Sequence, residues 1–120
     1  ELFVPGVSLS LAPTYDLLRG AMDAARGMDG VSVHAGPVYC SDHFYLARAD
    51  IVSGLSKMGT LAVEMESAGL YAAALNEGGE ALTVLTVSDH LLDARADMSA
   101  HERETSYQAM LQVGARALLA

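Results

Sequence analysis

The chain has 120 residues, of which 52% are hydrophobic, and its formal net charge is -8. This composition is sufficient for one domain with an apolar core, whereas an acidic balance with only seven Lys and Arg residues argues against a nucleic acid as partner. A single cysteine, Cys40, excludes an intramolecular disulfide and favours a reducing, cytoplasmic location. The apolar runs are shorter than the roughly 18 to 20 residues of a membrane span, so we expect no membrane association.

The first half of the chain alternates helical and extended patterns. Apolar residues at helical spacing predict a helix over residues 14–26, which Gly27 ends. Residues 31–40 have an extended pattern with Val31 and Val33 alternating. Residues 51–58 favour a short helix.

The central part of the chain predicts a strand, a helix and a second strand. Residues 61–64 form a short apolar segment, and the alanine-rich residues 67–76 predict a helix that Gly78 and Gly79 terminate. Residues 81–87 are apolar or β-branched throughout, which is typical of a strand buried on both faces of a parallel sheet. Together they predict a βαβ unit.

The end of the chain predicts one long helix over residues 97–120. Ser99 is the expected N-cap, and Glu102 stands at the third helical position of a capping box. Alternating helices and strands predict an α/β fold, with a partly parallel central sheet covered by helices and a single domain over residues 1–120.

Polar side chains follow both strands of the predicted βαβ unit. Glu64 and Glu66 stand at the end of the first strand, and Ser88 and Asp89 at the end of the second. Ligands of open α/β sheets bind outside the carboxyl ends of the strands, so we expect both groups at one rim. The alternative is structural, since acidic residues at a helix start complement the helix dipole and Ser-Asp is a common turn pair.

The sequence contains no motif for a metal site or for a nucleotide-binding loop. The four histidines and Cys40 lack the spacing of a zinc site, and no phosphate-binding or dinucleotide-binding glycine motif is present. We therefore expect neither a metal nor an organic cofactor.

Four segments resemble the hexameric, bacterial type of purine nucleoside phosphorylase, whose wider family includes uridine phosphorylases and nucleosidases. They are AVEMESAGLYAAA, followed by EALTVLTVSDH, with CSDHFY upstream and HERETSYQAML downstream. The resemblance implies a nucleoside phosphorylase fold and a transferase of purine salvage. That enzyme reversibly converts a purine (deoxy)nucleoside and phosphate into free base and (deoxy)ribose 1-phosphate. A homo-oligomer, a hexamer in the family, is also implied.

The resemblance also implies roles for individual residues. Glu66 would bind the ribose hydroxyls, with Met65 packing on the sugar and Glu64 beside it. Phe44 would stack on the base, and Ser88 would lie next to it. The catalytic residues would be Asp89, which protonates the leaving base, and Arg103, which stabilises the resulting carboxylate; Arg95 is a weaker candidate for the second role.

The family's phosphate site draws on an N-terminal glycine loop and arginines that this sequence does not contain. We therefore expect the chain to correspond to the C-terminal half of the catalytic domain, weakly active or inactive by itself. Two alternatives remain open: a methylthioadenosine/adenosylhomocysteine-type nucleosidase that uses water, and a non-catalytic nucleoside-binding module. The sequence leaves open whether the purine is 6-oxo or 6-amino and whether the sugar is ribose or deoxyribose.

Overall fold

Two short strands and five helices make up the regular structure of the residues that the computed structural model describes, which are 5–43, 49–93, 95 and 97–120. The predicted α/β class with a parallel sheet is confirmed. In chain order the elements are α1 (Tyr15–Arg26), β1 (Val38–Cys40), α2 (Ala49–Lys57), β2 (Ala62–Glu64), α3 (Ser67–Glu77), α4 (Ala100–Thr105) and α5 (Tyr107–Leu119).

The sheet is formed by β1 and β2, which run parallel with Cys40 opposite Glu64 at their carboxyl ends. Helix α2 lies between them in sequence, so β1, α2 and β2 form the βαβ unit of the described chain. One further backbone bond continues the pairing beyond the strands, from Ser41 N to Glu64 O at 2.9 Å. The carboxyl ends of both strands therefore meet at a single corner, directly before α3.

The prediction of a strand over residues 81–87 is wrong in this structure, and so is the βαβ unit that depended on it. The segment does not form a strand, and its first residue is hydrogen-bonded to the start of α1: Thr14 N donates to Ala81 O at 2.8 Å, and Ala81 N donates to Thr14 Oγ1 at 3.0 Å. Thr83 N donates to the Tyr71 hydroxyl at 3.0 Å. A strand needs the backbone of a neighbouring strand, and among the described residues β1 and β2 pair only with each other.

Helix ends follow the local signals closely. Gly78 terminates α3 in the left-handed conformation, with φ of 65°, as the Gly-Gly pair predicts. The capping box is also confirmed: Glu102 N donates to Ser99 Oγ at 3.2 Å, and Ser99 N donates to Glu102 Oε2 at 2.8 Å. The single long terminal helix is wrong in detail, because it begins at Ala100 and is interrupted at Ser106.

The core lies where α1 packs against α5. Its buried side chains are small, which lets the two helix backbones approach closely. At Gly20 a Cβ would stand 3.0 Å from the Ala120 Cβ and 3.4 Å from the Ala117 backbone. We call this contact the α1–α5 seam; its buried members are Ala21, Ala25, Val113 and Ala117.

Large apolar side chains of the described residues remain partly exposed. Leu85 and Val87 are 42% and 49% exposed, and Leu91 and Leu92 are 64% and 69% exposed. No helix in the described part of the chain is long and apolar enough to cross a membrane.

Candidate functional site

The corner between β2 and α3 is organised by the Glu64 carboxylate. Its Oε2 accepts hydrogen bonds from Glu66 N at 2.8 Å and from Ser67 N at 2.7 Å, which are backbone groups at the start of α3. Burial by itself would raise the pKa of Glu64, but these backbone bonds outweigh it and hold the pKa below its usual value. Glu64 thus acts as a charged cap of α3, as the helix-dipole interpretation of the sequence expects.

Cys40 lies against Glu64 at the end of the paired strands. Burial raises the pKa of the Cys40 thiol, and the neighbouring Glu64 carboxylate adds to this, while a hydrogen bond from the Ala68 backbone opposes it. A raised pKa disfavours the thiolate, which is the nucleophilic form of cysteine. The sequence analysis did not assign Cys40 to this corner; the parallel register, which pairs it with Glu64, is what places it there.

Glu66 and Met65 are the accessible residues of the same corner. Both are exposed, Met65 to 38%, and Glu66 Oε2 accepts one long hydrogen bond, from Met65 N at 3.3 Å. Glu66 is the N-cap residue of α3, yet its side chain makes no capping bond because Glu64 already occupies that position. Of the two glutamates, Glu66 is the one whose carboxylate is available to a ligand.

Asp89 is held by two different donors. Ser88 Oγ donates to Asp89 Oδ2 at 2.9 Å, and Arg103 Nη2 donates to Asp89 Oδ1 at 2.5 Å. The aspartate and arginine side chains are 40% and 51% exposed, so the ion pair is open to solvent. Arg103 reaches Asp89 across 14 residues of sequence because the intervening chain folds back on itself.

Two bonds close that fold-back at its base. Met98 N donates to Ser88 O at 2.7 Å, and His90 N donates to Asp97 Oδ1 at 2.5 Å. The capped start of α4 follows directly, which brings Arg103 over the end of the 81–89 segment.

The weaker candidate Arg95 is engaged elsewhere. Its Nε donates to Asp93 Oδ1 at 2.9 Å and its Nη2 to Asp93 Oδ2 at 3.1 Å. The geometry therefore favours Arg103 over Arg95 as the arginine next to Asp89.

A cavity of about 340 Å³ opens beside this group. Ser88 and Arg103 lie in its wall, and the remaining wall is mixed, with apolar, hydroxyl and aromatic side chains. The other lining residues are Leu85, Thr86, Ser106, Tyr107 and Met110.

Phe44, which the resemblance assigns to the base, lies outside the described residues. Within the described part of the chain no hydrogen bond joins the Glu64–Glu66 corner to the Ser88–Asp89 group. No set of three or more His, Cys, Asp or Glu residues there is arranged to hold a metal ion.

Comparison with known proteins gives a consistent result. A family model described as the phosphorylase superfamily matches residues 4–120. A purine nucleoside phosphorylase DeoD-type from Jannaschia sp. (strain CCS1) is 43% identical over 111 residues, which cover 91% of this chain and 47% of the relative. A protein of the same name from Bacillus cytotoxicus is 38% identical over 119 residues, which cover 99% of this chain and 50% of the relative. The chain thus spans about half the length of the curated relatives it matches.

Proposed function

This chain belongs to the phosphorylase superfamily, and we propose that it is the nucleoside-binding part of a purine nucleoside phosphorylase. The observation that carries the proposal is the Asp89 carboxylate, held between Ser88 and Arg103 beside a cavity. The reaction is the reversible phosphorolysis of a purine (deoxy)nucleoside to the free base and (deoxy)ribose 1-phosphate.

The chemistry follows from where charge develops. A phosphate oxygen forms a bond to the anomeric carbon of the sugar while the bond from that carbon to the base breaks, and the electron pair leaves with the base. Asp89 donates its proton to the base nitrogen N7, a step that typically contributes ~10² to 10⁴ in rate. Asp89 is then an anion, and the charge-assisted bond from Arg103 stabilises it, which is the pairing described above.

The sugar is assigned to the corner between β2 and α3. Glu66 accepts hydrogen bonds from the ribose hydroxyls, since one carboxylate can hold two hydroxyls at once, and the exposed Met65 packs on the sugar. Glu64 supports Glu66 by holding the first turn of α3 in place. The proposal that Phe44 stacks on the base rests on the family resemblance alone.

Phosphate is the co-substrate, and its site is not at the start of α3. A helix N-terminus binds anions through free backbone N–H groups, but here Glu64 occupies those of Glu66 and Ser67. We further propose a cytoplasmic homo-oligomer, hexameric as in the family, that requires no metal or organic cofactor. In this proposal residues 1–120 form the C-terminal part of a single catalytic domain.

The names of the matched relatives favour a phosphorylase over a nucleosidase or a non-catalytic module. The test is release of free base from inosine and adenosine, followed by chromatography with and without phosphate. The chain is assayed alone and mixed with the part of the Jannaschia relative that the match leaves out. Asp89→Asn is the test variant. Asp93→Asn is the matched control, because the Asp93 carboxylate of the parent binds Arg95.

Phosphate-dependent release that disappears in Asp89→Asn and persists in Asp93→Asn supports the proposal. Equal release without phosphate would establish the nucleosidase instead. Nucleoside binding without release, even in the mixture, would establish the non-catalytic module.

A further inference from the structure

We infer that Ser88 is a positioning residue for Asp89, rather than a residue that contacts the base, and this inference rests on the proposed function. The resemblance places Ser88 beside the base. In the structure its hydroxyl is instead directed at the Asp89 carboxylate, with Ser88 Oγ 2.9 Å from Asp89 Oδ2.

The two donors bind different oxygens of the Asp89 carboxylate. Arg103 binds Oδ1 and Ser88 binds Oδ2, so each oxygen has one partner. A carboxylate oxygen has two lone-pair directions, and a hydroxyl uses only one of them. The second direction of Oδ2 is left for the proton that Asp89 transfers to the base.

The two donors also differ in how firmly they are fixed. Ser88 is adjacent to Asp89 in sequence, its carbonyl is bound by Met98 N at 2.7 Å, and it lies half-buried in the cavity wall. Arg103 reaches Asp89 through a long side chain that is 51% exposed. Ser88 is thus a donor with a short side chain in a fixed position, whereas Arg103 is a donor whose long side chain can adjust to the carboxylate.

Removing the Ser88 hydroxyl should change how Arg103 binds. A guanidinium presents a planar fork that matches both oxygens of a carboxylate, and a bidentate pair is the favoured geometry when both oxygens are free. The carboxylate would then turn so that both oxygens face Arg103, which withdraws the acid from the base. Misplacement of a catalytic group by about 1 Å can cost on the order of 10²-fold in rate.

The test compares two substrates that differ in their need for an acid. The base of inosine leaves as an anion and therefore needs the proton of Asp89. The base of 7-methylinosine already carries a positive charge, so it leaves as a neutral molecule without receiving a proton. Turnover of both is measured for the parent, Ser88→Ala and Ser88→Thr in the mixture described above. Thr105→Ala is the matched hydroxyl deletion, because Thr105 Oγ1 is bound to His101 O within α4 and not to Asp89.

We expect Ser88→Ala to lower kcat on inosine at least tenfold with KM nearly unchanged, and to leave kcat on 7-methylinosine unchanged. Ser88→Thr should restore inosine turnover, and Thr105→Ala should affect neither substrate. An equal loss on both substrates, or no loss on inosine, would overturn the inference.

A second measurement decides the inference even if the proposed function fails. Side-chain coupling constants of Asp89, measured by NMR on the 120-residue chain, report whether its side chain holds one rotamer. We expect one rotamer in the parent and in Ser88→Thr, and averaged couplings in Ser88→Ala. Identical couplings in all three would overturn the positioning role, whereas absence of turnover with every variant would overturn the proposed function alone.

Discussion

The α1–α5 seam and the Asp89 group represent two ways of holding residues together. In the seam, Ala21, Ala117 and their neighbours are buried, and close packing of small apolar groups fixes the geometry. Around Asp89, a half-buried hydroxyl and an exposed guanidinium hold one carboxylate through hydrogen bonds. The seam is therefore expected to determine stability, and the Asp89 group to determine chemistry. The five variants below test this separation in order of decreasing effect.

Asp89→Asn should give the largest effect, a loss of about 10² to 10⁴ in base release from inosine, because the amide cannot act as the acid. The thermal midpoint should stay close to that of the parent, since the side chain is 40% exposed and its ion pair is open to solvent. Turnover and thermal unfolding are measured on the same sample. A large fall in the midpoint would show that Asp89 supports the fold.

Ala117→Leu should have the opposite profile. Ala117 is 4% exposed, and extra methylene groups in a packed site typically cost about 1 to 3 kcal/mol of unfolding free energy. Urea unfolding measures the loss, with the exposed Ala115→Leu on the same helix as the matched control. Equal stability of the two variants would mean that the seam is not closely packed.

Glu64→Gln should lower stability by about 1.5 to 3 kcal/mol near neutral pH, because two backbone N–H groups lose a charged acceptor. The pKa of Glu64 is lowered in the folded state, so its contribution is present above the unfolded pKa and disappears as the pH falls through the folded pKa. Urea unfolding at pH 7 and at successively lower pH should show the difference between parent and variant shrinking. A constant difference across the series would contradict the role of the charge.

Glu66→Gln should change binding and not stability, in contrast to Glu64→Gln. We expect nucleoside affinity to fall about tenfold, since hydrogen bonds to a charged group contribute about 1.5 to 3 kcal/mol. Calorimetric titration with inosine measures the affinity, and urea unfolding should match the parent. Unchanged affinity would remove Glu66 from the sugar site.

Arg103→Ala should have the smallest effect on stability, at most about 1 kcal/mol, because exposed ion pairs contribute little. Arg95→Ala is the matched control, since it breaks the exposed pair with Asp93. Both variants should unfold alike, and only Arg103→Ala should reduce inosine turnover. Equal turnover in the two variants would count against the assignment of Arg103.

Local signals in the sequence predicted most helix positions. The bounds of α1, the Gly78 terminus of α3 and the Ser99–Glu102 capping box follow from groups within a few residues of one another, and all are observed. The interruption at Ser106 was not predicted, and no composition change at that position indicates it. The strand prediction for residues 81–87 failed for a different reason, because β-branched residues favour a strand only when a neighbouring strand supplies hydrogen-bonding partners.

The features of the candidate site also separate into those that the sequence determined and those that depend on the tertiary structure. The sequence by itself determined the residue types, their order and the family resemblance, since these depend on side-chain identity and spacing alone. Only the tertiary structure decided that Cys40 lies opposite Glu64 at the strand ends, and that Arg103 rather than Arg95 contacts Asp89. The physical reason is that these contacts depend on which segments fold against each other: the parallel pairing of β1 and β2 for Cys40 and Glu64, and the fold-back closed by Met98 for Asp89.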